Sequence, residues 1–281
     1  MNLKANSYKL RQDILDIVYH AKGGHIGGDM SVIDTLNVLY NKQMNVTPEN
    51  FHDPDHDRFI LSKGHTVEAL YAVLCQKGFF PREDLKTVSQ YLSKYIGHPN
   101  NKVNGIEMNS GSLGHGLPIA VGTALAARVL GKDYKTYCIL GDGECDEGSN
   151  WEAAMSASTF KVTNMISFVD RNKCMIDGRT EDVMKLEPFA DKWRSFGFIV
   201  KEVDGHNFKE LCDAIDFALE NKTDSPVMII ADTIKGAGIN FMEDNYQWHY
   251  GAIDEEKYKK AIDSLDAYYE ARKARAEKEG E

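Results

Sequence analysis

Two apolar segments, each followed by acidic or amide residues, decide the predicted fold. Residues 137–144 read Tyr-Cys-Ile-Leu-Gly-Asp-Gly-Glu, and residues 164–172 read Asn-Met-Ile-Ser-Phe-Val-Asp-Arg-Asn. Short apolar runs bounded by glycine or polar residues are typical of buried strands. We therefore predict strands over residues 134–140 and 164–169.

Further apolar runs and helical spacings alternate along the chain. Strands are predicted over residues 58–61, 198–203 and 227–231, and helices over residues 6–20, 31–40 (with Ser31 as its N-cap), 67–76, 117–130, 151–160 and 208–220. Alternating strands and helices form βαβ units, so we predict an α/β fold, with a parallel sheet that helices cover on both faces. We expect one domain over residues 1–255 and a charged helical C-terminal extension over residues 256–281.

The composition excludes several classes of protein. The 281 residues include 33 Lys and Arg against 43 Asp and Glu, a net charge of −10. This acidic balance argues against binding to nucleic acid or to anionic membranes. No run of about 18 apolar residues predicts a membrane span, and the N-terminus lacks the apolar core of a signal peptide. The five cysteines form no Cys-x-x-Cys pair, so we expect reduced thiols and a cytoplasmic location.

Side chains with oxygen donors follow both of the quoted strands. Asp142 follows the first strand, and Asn172 follows the second about thirty residues later. The carboxyl ends of parallel strands meet in a crevice where α/β proteins bind ligands. A hard cation such as Mg²⁺ prefers such oxygens, and a backbone carbonyl in the turn after Asn172 could add a third. The Gly-Asp-Gly tripeptide alone is also typical of a turn, so the prediction of a metal site depends on having both Asp142 and Asn172.

Histidines concentrate on glycine-bearing segments. Five of the nine directly follow a glycine: His25, His65, His98, His115 and His206. Glycine permits close backbone approach and imidazole exchanges protons near neutral pH, so these loops predict a polar pocket at the strand ends. The turn over residues 111–116, which precedes a helix, suits an anion or a flat ring. Each segment taken singly could instead be a surface turn.

Together these motifs resemble the thiamine-diphosphate-binding N-terminal half of the transketolase family. The matching segments, in the family's order, are Gly-His-Ile-Gly-Gly (24–28), Arg-Phe-Ile-Leu-Ser-Lys-Gly-His (58–65), Gly-His-Pro (97–99), Gly-Ser-Leu-Gly (111–114), Gly-Asp-Gly (141–143) with Glu-Gly (147–148), Asn172, Asp-Gly (177–178), Asp-Gly-His (204–206) and Trp-His (248–249).

The resemblance implies roles for individual residues. Asp142, Asn172 and the backbone carbonyl of Cys174 resemble the ligands of a Mg²⁺ or Ca²⁺ ion that anchors the cofactor diphosphate. His25 and His98 resemble the pair that faces the sugar, and His249 resembles a histidine that serves both cofactor and substrate. The implied cofactor contacts are His65, Gly111, Ser112, Leu113, Gly143, Glu147, Asn172 and His249. Glu147 also resembles the family's glutamate at the subunit interface.

The resemblance also implies a second chain. The family's middle domain, which supplies the glutamate that activates the cofactor, has no counterpart here. We therefore expect the N-terminal subunit of a split transketolase, with a separate C-terminal subunit in an α₂β₂ assembly. Such an enzyme would transfer a two-carbon ketol unit from a ketose to an aldose. Ile26, His115 and Tyr250 depart from the family's pattern near the expected pocket, so the sugar could be an unusual one, such as a sulfonated or branched sugar phosphate.

Two other classes of function stay open on sequence alone. The chain could be the α-type subunit of another thiamine-diphosphate enzyme, such as a 2-oxoacid dehydrogenase or a deoxyxylulose-phosphate-synthase-like protein. The segments ending in His65 and at residues 97–99 discriminate against that alternative. The chain could also be a degenerate cofactor-binding or regulatory protein, against which the intact Asp142, Asn172, His65 and His249 argue.

Overall fold

Five parallel strands form a sheet in the computed structural model, which describes residues 2–279, with side chains through residue 274. The strands are β1 (Arg58–Leu61), β2 (Thr136–Gly141), β3 (Met165–Arg171), β4 (Ile199–Asp204) and β5 (Val227–Asp232). The helices are α1 (Leu3–Ala21), α2 (Ile26–Val38), α3 (Val67–Gln76), α4 (Gly116–Leu130), α5 (Gly148–Thr159), α6 (Thr180–Val183), α7 (Phe189–Ser195), α8 (Phe208–Glu220) and α9 (Glu255–Glu279).

The order of the strands brings the predicted donor residues together. Across the sheet the order is β1-β2-β3-β5-β4, and each neighbouring pair is parallel. Gly141 at the end of β2 lies opposite Asp170 of β3, and Arg171 lies opposite Asp232 of β5. The segments that follow β2, β3 and β5 therefore leave the sheet side by side. Each strand agrees within two residues with its predicted range.

Alternate strand residues pack into two separate apolar cores. Tyr137 and Ile139 of β2 belong to the core that residues of α1, α2, α3 and α8 complete. Cys138 and Leu140 of the same strand belong to a second core, built with residues of α4, α5 and α7. Successive side chains of a strand point to opposite faces, so helices cover both sides of the sheet. The predicted fold class is confirmed.

The start of α2 differs from the prediction. The helix begins at Ile26, five residues before the predicted N-cap Ser31, and His25 takes the capping position without a side-chain capping bond. Ser31 is fully buried, and its hydroxyl donates to the Gly28 carbonyl and to Asp170. Long-range packing therefore uses this hydroxyl inside the helix, and local capping preference gave the wrong boundary.

The C-terminal helix α9 packs along α1. Ala261 and Leu265 are fully buried, and Tyr258 donates a hydrogen bond to Asp16 of α1. Arg272 reaches the buried Asp34 of α2. The charged helix predicted for the C-terminus is present as far as residue 279, and the domain boundary at residue 255 stays a prediction. Among the described residues, no helix is long and apolar enough to cross a membrane.

Candidate active site

Asp142 stands at the tip of β2 as a buried carboxylate with several hydrogen bonds. Its Oδ1 accepts from the Gly143 N–H at 2.8 Å, and its Oδ2 accepts from the Lys173 N–H at 2.5 Å and from Arg171 at 3.2 Å. Burial and the nearby Asp170 charge raise the pKa of Asp142, and Arg171 opposes this shift. A cation at Asp142 Oδ2 would stabilise the ionised form further.

The other two predicted metal ligands lie in the adjacent turn. The Asn172 side-chain oxygen accepts from the Cys174 N–H at 3.1 Å, and the Cys174 carbonyl lies 3.5 Å from the Lys235 ammonium. Asp142 accepts a hydrogen bond from the backbone N–H of the intervening Lys173, so this bond joins Asp142 to the turn that carries the other two donors. No group of three or more His, Cys, Asp or Glu side chains gathers as a metal site among residues 2–274. The predicted set has one carboxylate, one amide and one carbonyl, and its metal stays a prediction.

Asp170, next to these residues, anchors a buried network that the sequence reasoning did not identify. Its carboxylate pairs with Lys63 and accepts from Ser31, Asn172 and Thr233. Burial acts to raise the pKa of Asp170, but the Lys63 ammonium and the hydrogen bonds outweigh it and lower that pKa. The network fixes the orientation of the Asn172 amide, because its nitrogen donates to Asp170 and its oxygen therefore faces away.

Lys235 follows β5 and carries a buried ammonium group without a carboxylate partner among the described residues. Only 1% of the side chain is exposed, and its hydrogen-bond partners are the Cys174 carbonyl and His249 Nδ1, at 3.3 Å. Burial and the Lys63 charge lower the pKa of Lys235 to about 8. A buried, unpaired cation is costly, and this one therefore indicates a place for an anion.

Four histidine rings and one tyrosine ring converge beside Lys235. From the centroid of the His25 ring, the other rings lie at 5.3 Å (His65), 6.0 Å (His98), 5.5 Å (His249) and 5.0 Å (Tyr250). His65 and His249 stack at 5.0 Å. Four segments that are far apart in sequence thus supply one polar cluster.

These imidazoles are neutral near pH 7 in the structure. Burial, followed by neighbouring positive charge, lowers the pKa of His25 to about 4 and that of His249 to about 3. Burial also lowers the pKa of His65 and of His98. The sequence predicts imidazoles that titrate near neutral pH, but the charges of Lys63 and Lys235 disfavour additional protons on His25, His65 and His249. An anion bound between the lysines would raise these pKa values again.

The glycine-bearing loop at residues 111–114 packs against this cluster. A Cβ atom at Gly111 would lie 2.7 Å from the His98 ring, and Gly111 and Gly114 have φ angles of +134° and +83°. The Gly114 N–H donates to Glu144 at 2.9 Å, and Glu144 also accepts from Ser62 and from the Gly141 N–H. This buried carboxylate ties the loop to the ends of β1 and β2.

Residues 4–270 match the family model described as the thiamine diphosphate binding domain of transketolase. The chain belongs to the transketolase family. It is 43% identical over 260 residues to one subunit of the apulose-4-phosphate transketolase of Phocaeicola vulgatus, with 92% of each chain covered. It is 40% identical to a 6-deoxy-6-sulfo-D-fructose transketolase subunit of a Clostridium species, with 95% of this chain and 97% of that one covered.

Solved transketolases share the fold. The transketolase of Campylobacter jejuni superimposes with a TM-score of 0.88 at 32% identity, over 95% of this chain and 43% of that one. The chain thus spans less than half the length of the solved transketolases it matches, but nearly the full length of the relatives that are named as single subunits. The family named from the motifs is confirmed, and the relatives do not favour the 2-oxoacid dehydrogenase alternative.

The three departures from the transketolase pattern lie in different surroundings. Ile26 is fully buried in the core. His115 is exposed ahead of α4, with Nδ1 3.3 Å from the Ser112 hydroxyl. Tyr250 is 58% exposed and packs edge-on against His25. Tyr250 is thus the departure whose ring contacts the histidine cluster.

The remaining family positions lie around the same strand tips. Gly143 begins the short helical turn Gly143–Asp146, where a Cβ atom would lie 3.2 Å from Met175. Glu147 is exposed at the start of α5, and its side chain lies against Gly114. Ser112 and Leu113 belong to the loop over residues 111–114. Neither the geometry nor the relatives test the roles of these residues, which stay predictions.

Sequence reasoning missed three buried charged residues of this site: Asp170, Lys235 and Glu144. Asp170 and Lys235 lie at or after the ends of β3 and β5, the same edge of the sheet that identified Asp142. Applying the strand-end rule to every strand would have found both. Nothing local distinguished Glu144 from a surface residue, because its partners Ser62 and Gly114 are distant in sequence.

Proposed function

We propose that the chain is the cofactor-holding subunit of a two-chain transketolase that moves a two-carbon ketol unit between sugars. One observation carries the proposal: the unpaired Lys235 ammonium and four neutral imidazoles surround the strand tips that bear Asp142 and Asn172. This arrangement places groups suited to a polyanion beside oxygen donors for a hard cation. A cofactor diphosphate held through a divalent ion has both requirements.

The residues present fit thiamine diphosphate and Mg²⁺ or Ca²⁺. Asp142, Asn172 and the Cys174 carbonyl would hold the metal, and Lys235, His65 and His249 face the space for the diphosphate. When bound, the thiazolium ring of the cofactor supplies carbanion stabilisation. The loop over residues 111–114 and Gly143 leave room for close approach of the cofactor, and Glu147 belongs to its surroundings.

His25 and His98 are suited to the sugar. Both are neutral, so each ring can donate one hydrogen bond and accept another from the hydroxyl groups of a substrate. Movement of a proton between a substrate oxygen and either ring would assist ketol cleavage and its reversal. His249 stacks on His65 and hydrogen bonds to Lys235, so it can reach both the diphosphate and the sugar.

A separate chain would complete the site. Support comes from the relatives named as single subunits, which have nearly the same extent as this chain, whereas whole transketolases are more than twice as long. Exposed apolar side chains occur at Met155 of α5 and at Ile176 and Met184, which follow β3 in sequence. We propose that a C-terminal-type subunit covers part of this surface and that the assembly is an α₂β₂ heterotetramer with Glu147 near the interface.

The names of the relatives narrow the class of sugar. One relative is named for a sugar phosphate and another for a sulfonated sugar. We propose an acidic ketose as donor, carrying a phosphate or sulfonate group, with Tyr250 at the entrance. Five free, buried cysteines favour a reducing, cytoplasmic setting.

Co-expression of the chain with the product of its neighbouring gene tests this function. The purified pair should transfer ketol units only when both thiamine diphosphate and Mg²⁺ are present, and neither chain alone should turn over. Robust activity of this chain alone would contradict the two-chain proposal. Activity of the pair without the cofactor would contradict the transketolase chemistry.

A further inference from the structure

Two buried carboxyl groups, those of Asp29 and Glu68, belong to the helices next to His25 and have no role in the chemistry described above. Asp29 is in the first turn of α2, and Glu68 is in the first turn of α3. Their side chains are 0% and 1% exposed, and neither forms an ion pair within residues 2–274. One oxygen of each carboxyl, Asp29 Oδ2 and Glu68 Oε2, has no hydrogen-bond partner among the described residues. Buried carboxylates in this condition would be very costly if both were charged.

The two carboxyls interact, since each shifts the pKa of the other, and the Ala69 N–H, next to Glu68 in sequence, donates to Asp29 Oδ1 at 3.0 Å. A hydrogen bond between the two unpartnered oxygens, Asp29 Oδ2 and Glu68 Oε2, requires one hydrogen, so it can form only when one of the two carboxyls is protonated. Burial raises the pKa of Asp29 well above its usual range, and the Glu68 charge raises it further. Burial also raises the pKa of Glu68, to about 7. The geometry and the pKa shifts thus agree on one retained proton.

The pair also supports the backbone that presents the histidines. The His25 backbone N–H interacts with the Glu68 carboxyl and favours its ionised form, which lowers the pKa of Glu68. A Cβ atom at Gly24 would lie 2.8 Å from Glu68 Oε1. Gly24 in turn exchanges two backbone hydrogen bonds with Gly251, at 3.1 and 2.9 Å. The segment that contains His249 and Tyr250 is therefore tied to the residue next to His25. Asp29 Oδ1 accepts from the Ala69 N–H at 3.0 Å, which fixes α2 against α3.

Few other charged or titratable groups influence the pair. The Lys63 ammonium, from the loop after β1, acts on Asp29 by Coulomb attraction, and Tyr71 of α3 interacts with Glu68. The His25 ring is neutral, because burial lowers its pKa to about 4. From α1, Val18 contributes an apolar contact at Gly24. A single negative charge on the Asp29–Glu68 pair is therefore attracted by one cation, the Lys63 ammonium. Two negative charges would repel each other, and no second cation in the part of the chain that the structure describes acts on the pair to offset that repulsion.

We propose that Asp29 and Glu68 share one proton and act as positioning residues, holding the His25 backbone, and through Gly24 the segment around His249, in the arrangement of the site. Loss of the shared proton would place two like charges in contact and disturb the His25 N–H bond. The importance of His25 to catalysis rests on the proposed function. The shared proton does not, and it can be measured without substrate, cofactor or partner.

Infrared difference spectra and amide NMR of the full chain between pH 6 and pH 9 test the proposal. The wild-type chain should lose the carbonyl band of a protonated carboxylic acid over this range, with a simultaneous shift of the His25 amide cross-peak. E68Q should remove both changes, because the Gln amide donates permanently to Asp29 and its oxygen still accepts from His25. D29N, which leaves Glu68 ionised, should also remove the band and provides a second variant if E68Q does not fold.

The surface variant E220Q serves as the matched control and should behave as the wild type, because Glu220 is exposed at the end of α8. The midpoint of thermal unfolding gives an independent check. A carboxyl pKa raised by folding makes the folded state bind the extra proton, so wild-type stability should decrease as the pH rises from about 5 to about 8. The dependence of stability on pH should be smaller in E68Q.

The proposal is overturned if the infrared band of the protonated carboxylic acid is absent from the wild type or persists in both variants. It is also overturned if the His25 amide cross-peak does not shift together with that band.

Discussion

The two ends of the candidate site are built differently. At the cofactor end, Asp142, Asp170 and Lys235 are buried at the tips of neighbouring strands, and each has fixed hydrogen-bond partners. At the sugar end, His98 and Tyr250 are exposed and come from loops. Groups held by a sheet have little freedom to rearrange, whereas loop residues can change with little cost to the fold. Under the proposed function, the sheet of this chain would position the residues that hold the cofactor diphosphate, while the sugar end would stay open to adjustment by its own loops and by a second chain.

The largest expected effect comes from removing the carboxylate at the tip of β2. Asp142→Ala should weaken metal-dependent binding of thiamine diphosphate by at least about 100-fold, because a charged metal ligand is lost. Isothermal titration of the two-chain complex with and without Mg²⁺ measures this effect. Asp142→Asn should preserve the bond to the Gly143 N–H and still lose most of the metal dependence. Asp213→Ala, at an exposed position, is the control and should leave the affinity unchanged. Unchanged affinity in both Asp142 variants would show that Asp142 does not bind the metal.

A smaller effect, with opposite signs for binding and stability, is expected at Lys235. If Lys235 binds the diphosphate as proposed, Lys235→Met would remove a charge-assisted hydrogen bond, so the cofactor Kd should rise by about 10- to 100-fold. The same change removes an unpaired buried charge, so the cofactor-free chain should unfold at a higher temperature.

The pH dependence of stability separates these two effects. Folding lowers the pKa of Lys235 to about 8, so the wild-type chain should gain stability as the pH rises from about 8 toward the pKa of an unfolded lysine. Lys235→Met should lack that gain, and Lys209→Met, at an exposed position, should retain it. A cofactor-free Lys235→Met chain that unfolds at a lower temperature than the wild type would contradict the unpaired-charge interpretation.

The smallest effect is expected at the sugar end. Tyr250→Ala should change KM for the donor sugar by about three- to tenfold and leave the cofactor Kd within about twofold, because the ring packs edge-on against His25 at the sugar end. Tyr250→Phe keeps the ring and should resemble the wild type. Steady-state kinetics with a sugar phosphate and a sulfonated sugar would measure both. An equal loss of cofactor affinity would show that the two ends are not separable.

The sequence predicted much of the cofactor end because strand ends are local features. The apolar runs before Asp142 and Asn172 established two neighbouring strands, and the five-stranded parallel sheet followed from alternation with helices. The buried partners were less predictable. Asp170 bonds to Ser31 across 139 positions of sequence, and a carboxylate and a hydroxyl that satisfy each other resemble surface residues until the fold brings them together.

The sequence predicted which histidines form the cluster, but it did not predict their protonation state. The Gly-His pattern identified His25, His65 and His98, and the resemblance added His249. The lowered pKa values of His25, His65 and His249 depend on burial beside Lys63 and Lys235, which come from separate loops, and that of His98 depends on burial. The Asp29–Glu68 pair gave no signal either, because its proton depends on the contact between α2 and α3.

A crystal structure of the two-chain complex, grown with thiamine diphosphate and Mn²⁺ in place of Mg²⁺, would show whether a metal ion binds between the ends of β2 and β3. Anomalous scattering from Mn²⁺ should give one strong peak per site within coordination distance of Asp142, Asn172 and the Cys174 carbonyl, with the diphosphate beside Lys235. A peak elsewhere, or a cofactor bound away from the tips of β2 and β3, would contradict the account.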